Sequence, residues 1–210
     1  MKLTTTLDRI IAHETFMQER DNWIKTKLIE RFLHYLESGY AEDNEIDLLT
    51  ILELDGFDSF FWAFSAVRED RALVSKLTVQ LAAAFAEHVL PIFEKGNSHD
   101  DRPRKAIDAA KAWLSKREYG IIDAEKGAEH SCKIHRDESS WAAKAAMYAA
   151  QAARYAERER KLGKTETQVF SIAQATTKAA EQAAKTARWA SEYAYEEAQA
   201  QIEIIKKLLS

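Results

Sequence analysis

WAAKAAMYAAQAARYAERERKLG, residues 141–163, decides which folds this chain can adopt. Ala142, Ala146, Ala149, Ala153 and Ala156 step by four and three, the spacing that keeps one side of a helix in line. A row of alanines at that spacing is a seam along which helix axes approach near the lower end of the usual ~8–10 Å. Trp141, Tyr148, Tyr155 and Leu162 fall seven residues apart and form a bulky stripe beside the seam. A second run, TTKAAEQAAKTARWASEYAYEEAQA at 176–200, continues the pattern that starts three residues earlier at Ala173 through Thr176, Ala180, Ala183, Ala187, Ala190 and Ala194. Gly163 separates the two runs, and Thr165 with Gln168 forms a capping box for the second. The whole chain of 210 residues has only six glycines and two prolines, too few punctuating residues for a sheet and its turns. The expected class is all-α: a multi-helix bundle of long alanine-rich antiparallel helices with an N-terminal helical region.

Upstream of the seams the apolar residues keep helical spacing. Leu7, Ile10, Ile11 and Phe16 predict a first helix over about 6–18, and Trp23, Leu28, Ile29, Phe32, Leu33 and Leu36 a second over about 21–38, stopped by Gly39. IDLLTILEL has the β-branched content of a strand. The spacing of Ile46, Leu49 and Leu52 favours helix, ended by Gly56, with Asp58 opening a short aromatic helix. A longer helix is expected over about 71–95, carrying Leu73, Leu77, Leu81, Ala84, Phe85, His88 and Ile92, with Pro91 disturbing its last turn. GNSHD is the clearest loop, and further helices start at Pro103 and near Asp123. The expected organisation is an N-terminal helical region, 1–70, and an alanine-rich domain, 71–210, sharing one core.

Bulk properties narrow the function classes. A formal net charge of −4 with mixed signs exerts no general pull on nucleic acid or anionic lipid. Cys132 is the single cysteine, so no intrachain disulfide forms and a reducing compartment fits. No stretch approaches ~18 uninterrupted apolar residues, and the N-terminus lacks a signal-type apolar core. The expectation is a cytoplasmic protein with no membrane partner.

LAAAFAEHVLPIFEKGNSHDDRPRKAIDAAKAWL, residues 81–114, followed by repeated alanine-pair helices, resembles the immunity-five-like family of immunity proteins, found in bacterial and bacteriophage genomes. The resemblance spans roughly 72–200 and is sharpest at AEHVLPIFE and DDRPRKAIDAAKAW. LLTILELDGFDSFFWAFSAV is similar to the segment that precedes this domain in related proteins. EHSCKIHRDE departs from the pattern, since alanine pairs are usual there. The resemblance implies binding rather than catalysis. It points to neutralisation of a toxin or defence component by direct contact, with no cofactor and no transferable active site.

The residues themselves offer several candidate sites. Arg102, Arg104 and Lys105 lie in the first turn of the helix opened by Pro103, where the helix dipole disfavours positive charge. Either carboxylates answer them, with Asp108 in reach of Arg104 and Asp100, Asp101 and Glu94 near Arg102, or they form an anion site for a phosphate, nucleotide or acidic partner. Internal pairing is the expectation, and a nucleotide or other anionic ligand is the alternative. Phe57, Phe61 and Trp62, within a cluster that includes Phe60 and Phe64, serve as core between the two regions or as a partner surface. Arg154 and Arg158 are further partner-binding candidates, although cations near a helix C-terminus suit its dipole in any case.

Glu87 and His88 point in different directions on a helix, and no H-E-x-x-H spacing supports a zinc hydrolase. His88 is read as a hydrogen-bonded histidine against the core. His130, Cys132 and His135, at offsets of two and five, do not share a helical face, so no metal site is expected. Cys132 lacks a locally spaced base that would make it a nucleophile. The basic run at 153–164 is interrupted by Glu157 and Glu159, so nucleic acid is not an expected partner. QIEIIKKLLS either closes the bundle or pairs with a second copy of the chain.

Overall fold

The computed structural model describes residues 3–12, 19–39, 41–42, 45–67, 71–116, 120–135, 138–162, 186–187, 189 and 194–209. They form a helical protein in two compact units, Met1–Arg71 with Leu209–Ser210, and Ala72–Leu208.

The first unit begins with a short strand just ahead of the helix that the sequence predicts from about residue 6. Strand β1 (Thr4–Thr6) leads directly into α1 (Leu7–Ala12) and α2 (Glu19–Glu37). Strands β2 (Ala41–Glu42) and β3 (Glu45–Asp47) follow, giving an antiparallel sheet in the order β1-β3-β2. Thr5 lies opposite Ile46, and Ala41 pairs the same residue from the other side. β-branched Thr4, Thr5, Thr6 and Ile46 suit a pleated surface, so this small sheet corrects a purely helical reading of the N-terminal region.

Asp47 ends the sheet and starts the next helix, accepting a hydrogen bond from the Leu49 amide at 2.9 Å. Helix α3 (Leu48–Ser65) is two helical segments around Gly56, whose φ of 79° and ψ of −170° are open to glycine and costly for other residues. Gly56 thus ends the leucine-rich helix as its place in the sequence predicts. The preceding Asp55 side chain is fully buried and is held by Arg31 and Tyr35 from α2. Burial raises the Tyr35 phenol above its ordinary value, against the opposing charge of Arg31. Phe60, Phe61, Trp62 and Phe64 are buried in this unit, with the Phe60 ring 5.2 Å from Phe61 and 5.7 Å from Phe64.

The second unit starts with α4 (Arg71–Gly96), which continues through Pro91 to the loop at 97–101. Its stretch Ala72–Gly96 is long enough and apolar enough to cross a membrane by composition, but most of its apolar part is buried within the protein. The burial marks a core helix: Val74, Leu77, Leu81, Phe85, Val89 and Phe93 are all covered. Helix α5 (Arg102–Leu114) buries Pro103, Ala106, Ile107, Ala109 and Ala110. Helix α6 (Ile121–Ile134) and helix α7 (Glu138–Leu162) complete the packed layer, in which α5, α6 and α7 all touch one another.

Helix α7 bears out the alanine reading and widens it. Ala142, Ala146, Ala149, Ala153 and Ala156 are buried as the seam requires. Ala143, Ala145, Ala150 and Ala152 are buried too, because α7 has both α5 and α6 against it. Trp141, Tyr148 and Tyr155 are half-buried. Most of the second alanine run, with the capping box at 165–168, lies outside the described residues. Of that run Ala187 is buried, and α8 (Ala194–Leu209) turns Glu197, Gln201, Ile205 and Leu209 inward.

Candidate functional site

The α4–α5 hairpin carries the cations of HDDRPRK. Its two helices run in opposite directions, and two cross-helix ion pairs mark their register. Glu94 meets Arg104, and one heptad further from the loop Glu87 meets Lys111. The Glu94 carboxylate accepts from Arg104 Nε at 2.6 Å and Nη2 at 2.7 Å, a two-bond fork. Hydrogen bonding from Arg104 lowers the Glu94 carboxyl below its ordinary range despite some desolvation, and the same bond raises the guanidinium. Arg104 therefore pairs across the hairpin rather than primarily with Asp108 along its own helix, and Glu94 is taken by Arg104 rather than Arg102.

Arg102 is held by Asp100. Its Nε donates to Asp100 Oδ1 at 2.6 Å and its Nη2 to Oδ2 at 2.5 Å, and its backbone amide also donates to Oδ1 at 3.2 Å. Asp100 reaches further, to α6. The Ser131 hydroxyl donates to Oδ2 at 2.7 Å, and His135 Nε2 stands 3.4 Å from the same oxygen. The His135 ring lies edge-on to Phe93 of α4, with centroids 5.1 Å apart. One loop carboxylate thereby ties together the start of α5 and the end of α6, beside the end of α4. Its side chain is only 13% exposed, so it depends on these donors in place of water. The Arg102 hydrogen bond is the largest influence holding the Asp100 carboxyl far below the usual carboxylate range; desolvation opposes it and Ser131 assists.

Lys105 completes the triplet, pairing with Asp101 one turn back at 2.9 Å. All three cations of the candidate anion site are thus committed to carboxylates. Beside them, a groove of about 290 Å³ is lined by Arg102, Lys105, Gly120, Asp123, Ala124 and Gly127. The Arg102 stem runs across Gly127, where an added Cβ would sit 3.6 Å from Cγ. The carboxylate-bearing Asp123 in the groove opposes an anionic occupant.

The partner-surface candidates divide. Phe61 and Trp62 are buried, which takes them off an exposed partner surface, and Phe57 is half-buried. Arg154 is fastened to Glu125, with Nε to Oε2 at 2.5 Å, and its guanidinium lies 4.7 Å from the Tyr155 ring centroid. Arg158 remains exposed. Near it, Glu157 accepts from Arg160 at 2.8 and 2.9 Å and from the Trp113 indole at 3.0 Å. The Arg160 bond, with help from Lys161 and Trp113, brings the Glu157 carboxyl down to about 2.

Because that value lies below the unfolded one of 4.5, the Glu157 contribution is complete above pH 4.5 and is lost as pH falls toward 2. A urea midpoint followed by tryptophan fluorescence should decline below pH 4.5. The decline should be shallower in Glu157→Gln, which cannot carry the charge. An equal decline in both proteins would remove this carboxylate from the account.

His88 is hydrogen-bonded as expected, but half-exposed, with Nδ1 2.7 Å from the buried Glu197 Oε2 of α8. His130 is exposed, Cys132 is half-buried and His135 belongs to the Asp100 cluster, so the three do not converge. Among the described residues no group of three His, Cys, Asp or Glu side chains could hold a metal ion. Burial pushes the Cys132 thiol up, away from the thiolate a nucleophile needs.

No local spacing in the sequence links Ser131 and His135 to Asp100. They lie within EHSCKIHRDE, the stretch that departs from the alanine pattern, and that departure was the available signal.

The second unit is thus an alanine-packed helical domain with its charged hairpin closed on itself. Residues 74–160 match the family model of the Imm-5 like putative immunity protein. The match runs from near the start of α4 into the last turns of α7 and leaves the N-terminal unit outside it. No curated protein and no solved structure matches the chain.

Proposed function

We propose that this chain is a non-enzymatic immunity protein that neutralises a toxin or other defence component by occupying it. The match to the immunity-five-like family model at 74–160 carries the reading, because such a family implies a protein partner. The closure of Arg102, Arg104 and Lys105 on Asp100, Glu94 and Asp101 supports it by weakening the competing role as a sequestering protein for a nucleotide or other anion. The single cysteine and the mixed surface charge support action in the bacterial cytoplasm.

Co-expression of the full chain with a panel of bacterial toxins, scored by growth, tests the function. Growth restored against one toxin, with a stable complex recovered from those cells, is the expected outcome. Toxicity undiminished across the panel, with the chain present at normal levels, would contradict it. For the anion reading the groove at Arg102 and Lys105 supplies specific support. Thermal melts in millimolar nucleotide or pyrophosphate should leave the midpoint unchanged, since ligand at ~100 times its Kd would add about 2.7 kcal/mol. A rise abolished by Arg102→Ala and Arg104→Ala would reverse that assignment.

A further inference from the structure

We infer that the outward face of α2 docks a basic protein partner, with Trp23 and Leu33 as apolar anchors among carboxylates. Trp23, Thr26, Glu30, Leu33, His34 and Glu37 are all exposed. At 100° per residue they fall within an arc of about 100°, opposite the buried Ile24, Leu28, Phe32 and Tyr35. Trp23 is 63% exposed and Leu33 is 56% exposed. Ten residues apart on one helix, they stand ~15 Å from each other along the axis. Lys27 Nζ lies 5.2 Å from the Trp23 ring centroid, an attraction that orients the indole before any partner arrives. An isolated exposed apolar residue is ordinary. An oriented tryptophan sharing a face with an exposed leucine has the composition of an interface anchor.

Charge selects the partner. Residues 1–71 carry 15 acidic against 8 basic side chains, a net −7, whereas residues 72–210 carry 19 against 22 and are net positive. The modest charge of the whole chain conceals that asymmetry. Several carboxylates of the second unit are spent internally, as with Glu87, Glu94, Asp100, Asp101, Glu125 and Glu157. Glu30 and Glu37 have no ion-pair partner among the described residues, and they flank Leu33 on the exposed face. Such a surface repels nucleic acid and anionic lipid and attracts a protein whose apolar pocket is ringed by lysine and arginine.

This inference rests on the immunity reading for the existence of a protein partner, and adds its chemistry and its landing site. The test uses the full chain and the toxin recovered by growth rescue, with affinity read by calorimetry. Trp23→Ala should weaken binding about tenfold or more, the loss expected of a central aromatic anchor. The double variant Glu30→Lys, Glu37→Lys should weaken it further and reduce its dependence on salt. Ile122→Ala, an exposed apolar residue of α6 in the other unit, should stay within about twofold of wild type. All four positions are exposed, so a far-UV spectrum and melt matching wild type accompany each measurement. If both α2 variants bind within twofold of wild type, the docking face is wrong while the rescue leaves the immunity reading standing. If the wild-type chain rescues growth from no toxin, both fall together.

Discussion

Asp100→Ala should lower the stability of the chain by about 3 kcal/mol, the upper end of the cost of leaving part-buried donors without a charged acceptor. For a domain of this size that corresponds to a fall of roughly 6–12 °C in the melting midpoint. The basis is the number of groups that one carboxylate satisfies: the Arg102 guanidinium and amide, the Ser131 hydroxyl and the His135 ring. The variant would leave the Arg102 guanidinium, itself 30% exposed, without its acceptor. Arg104→Ala removes a fork of the same two-bond geometry, but Glu94 and Arg104 are 36% and 49% exposed. Water replaces that pair readily, so its removal should cost only ~0.2–1 kcal/mol. Melts of the two variants side by side measure the difference. Equal losses would mean that the Asp100 cluster does not anchor the loop.

Ala149→Leu should be comparably damaging for a different reason. Ala149 and Ala150 are fully buried in the helix that meets both α5 and α6. A leucine there requires the neighbouring helix to move away, and added volume in a packed core costs about 1–3 kcal/mol. The displacement would also loosen neighbouring alanine contacts along the seam, which places the expected loss at the upper end of that range. Arg158→Ala on the exposed side of the same helix should change stability by less than about 0.5 kcal/mol. Urea denaturation of the three proteins checks this. A tolerated leucine would show that the seam is not closely packed.

The features legible in the sequence were those written in local spacing. Alanines three and four apart in 141–163 announced the buried side of α7, and Gly56 marked its own chain break because few residues accept its backbone angles. The N-terminal sheet was illegible because β1 and β3 have three residues each and pair across 41 positions, too short for periodicity and too distant for a turn signal. The cations of HDDRPRK were legible as a problem and partly as its answer. Asp100 and Asp101 were visible in reach, but the choice of Glu94 for Arg104 depends on hairpin register. A heptad relation was present in the sequence: Glu87 and Glu94 precede the loop as Arg104 and Lys111 follow it, seven apart on each side. The Ser131 and His135 contacts depend on how α6 returns past the loop, which no spacing within α5 encodes.

The proposed neutralisation by occupancy differs from catalysis in its stoichiometry. Titrating the full chain into a fixed amount of its purified toxin, with residual toxin activity as the readout, should give a linear fall ending at a fixed stoichiometric ratio. Activity should return when the complex is dissociated. Complete loss of toxin activity at a small fraction of that ratio, growing with incubation time, would contradict the account and show that the chain turns over.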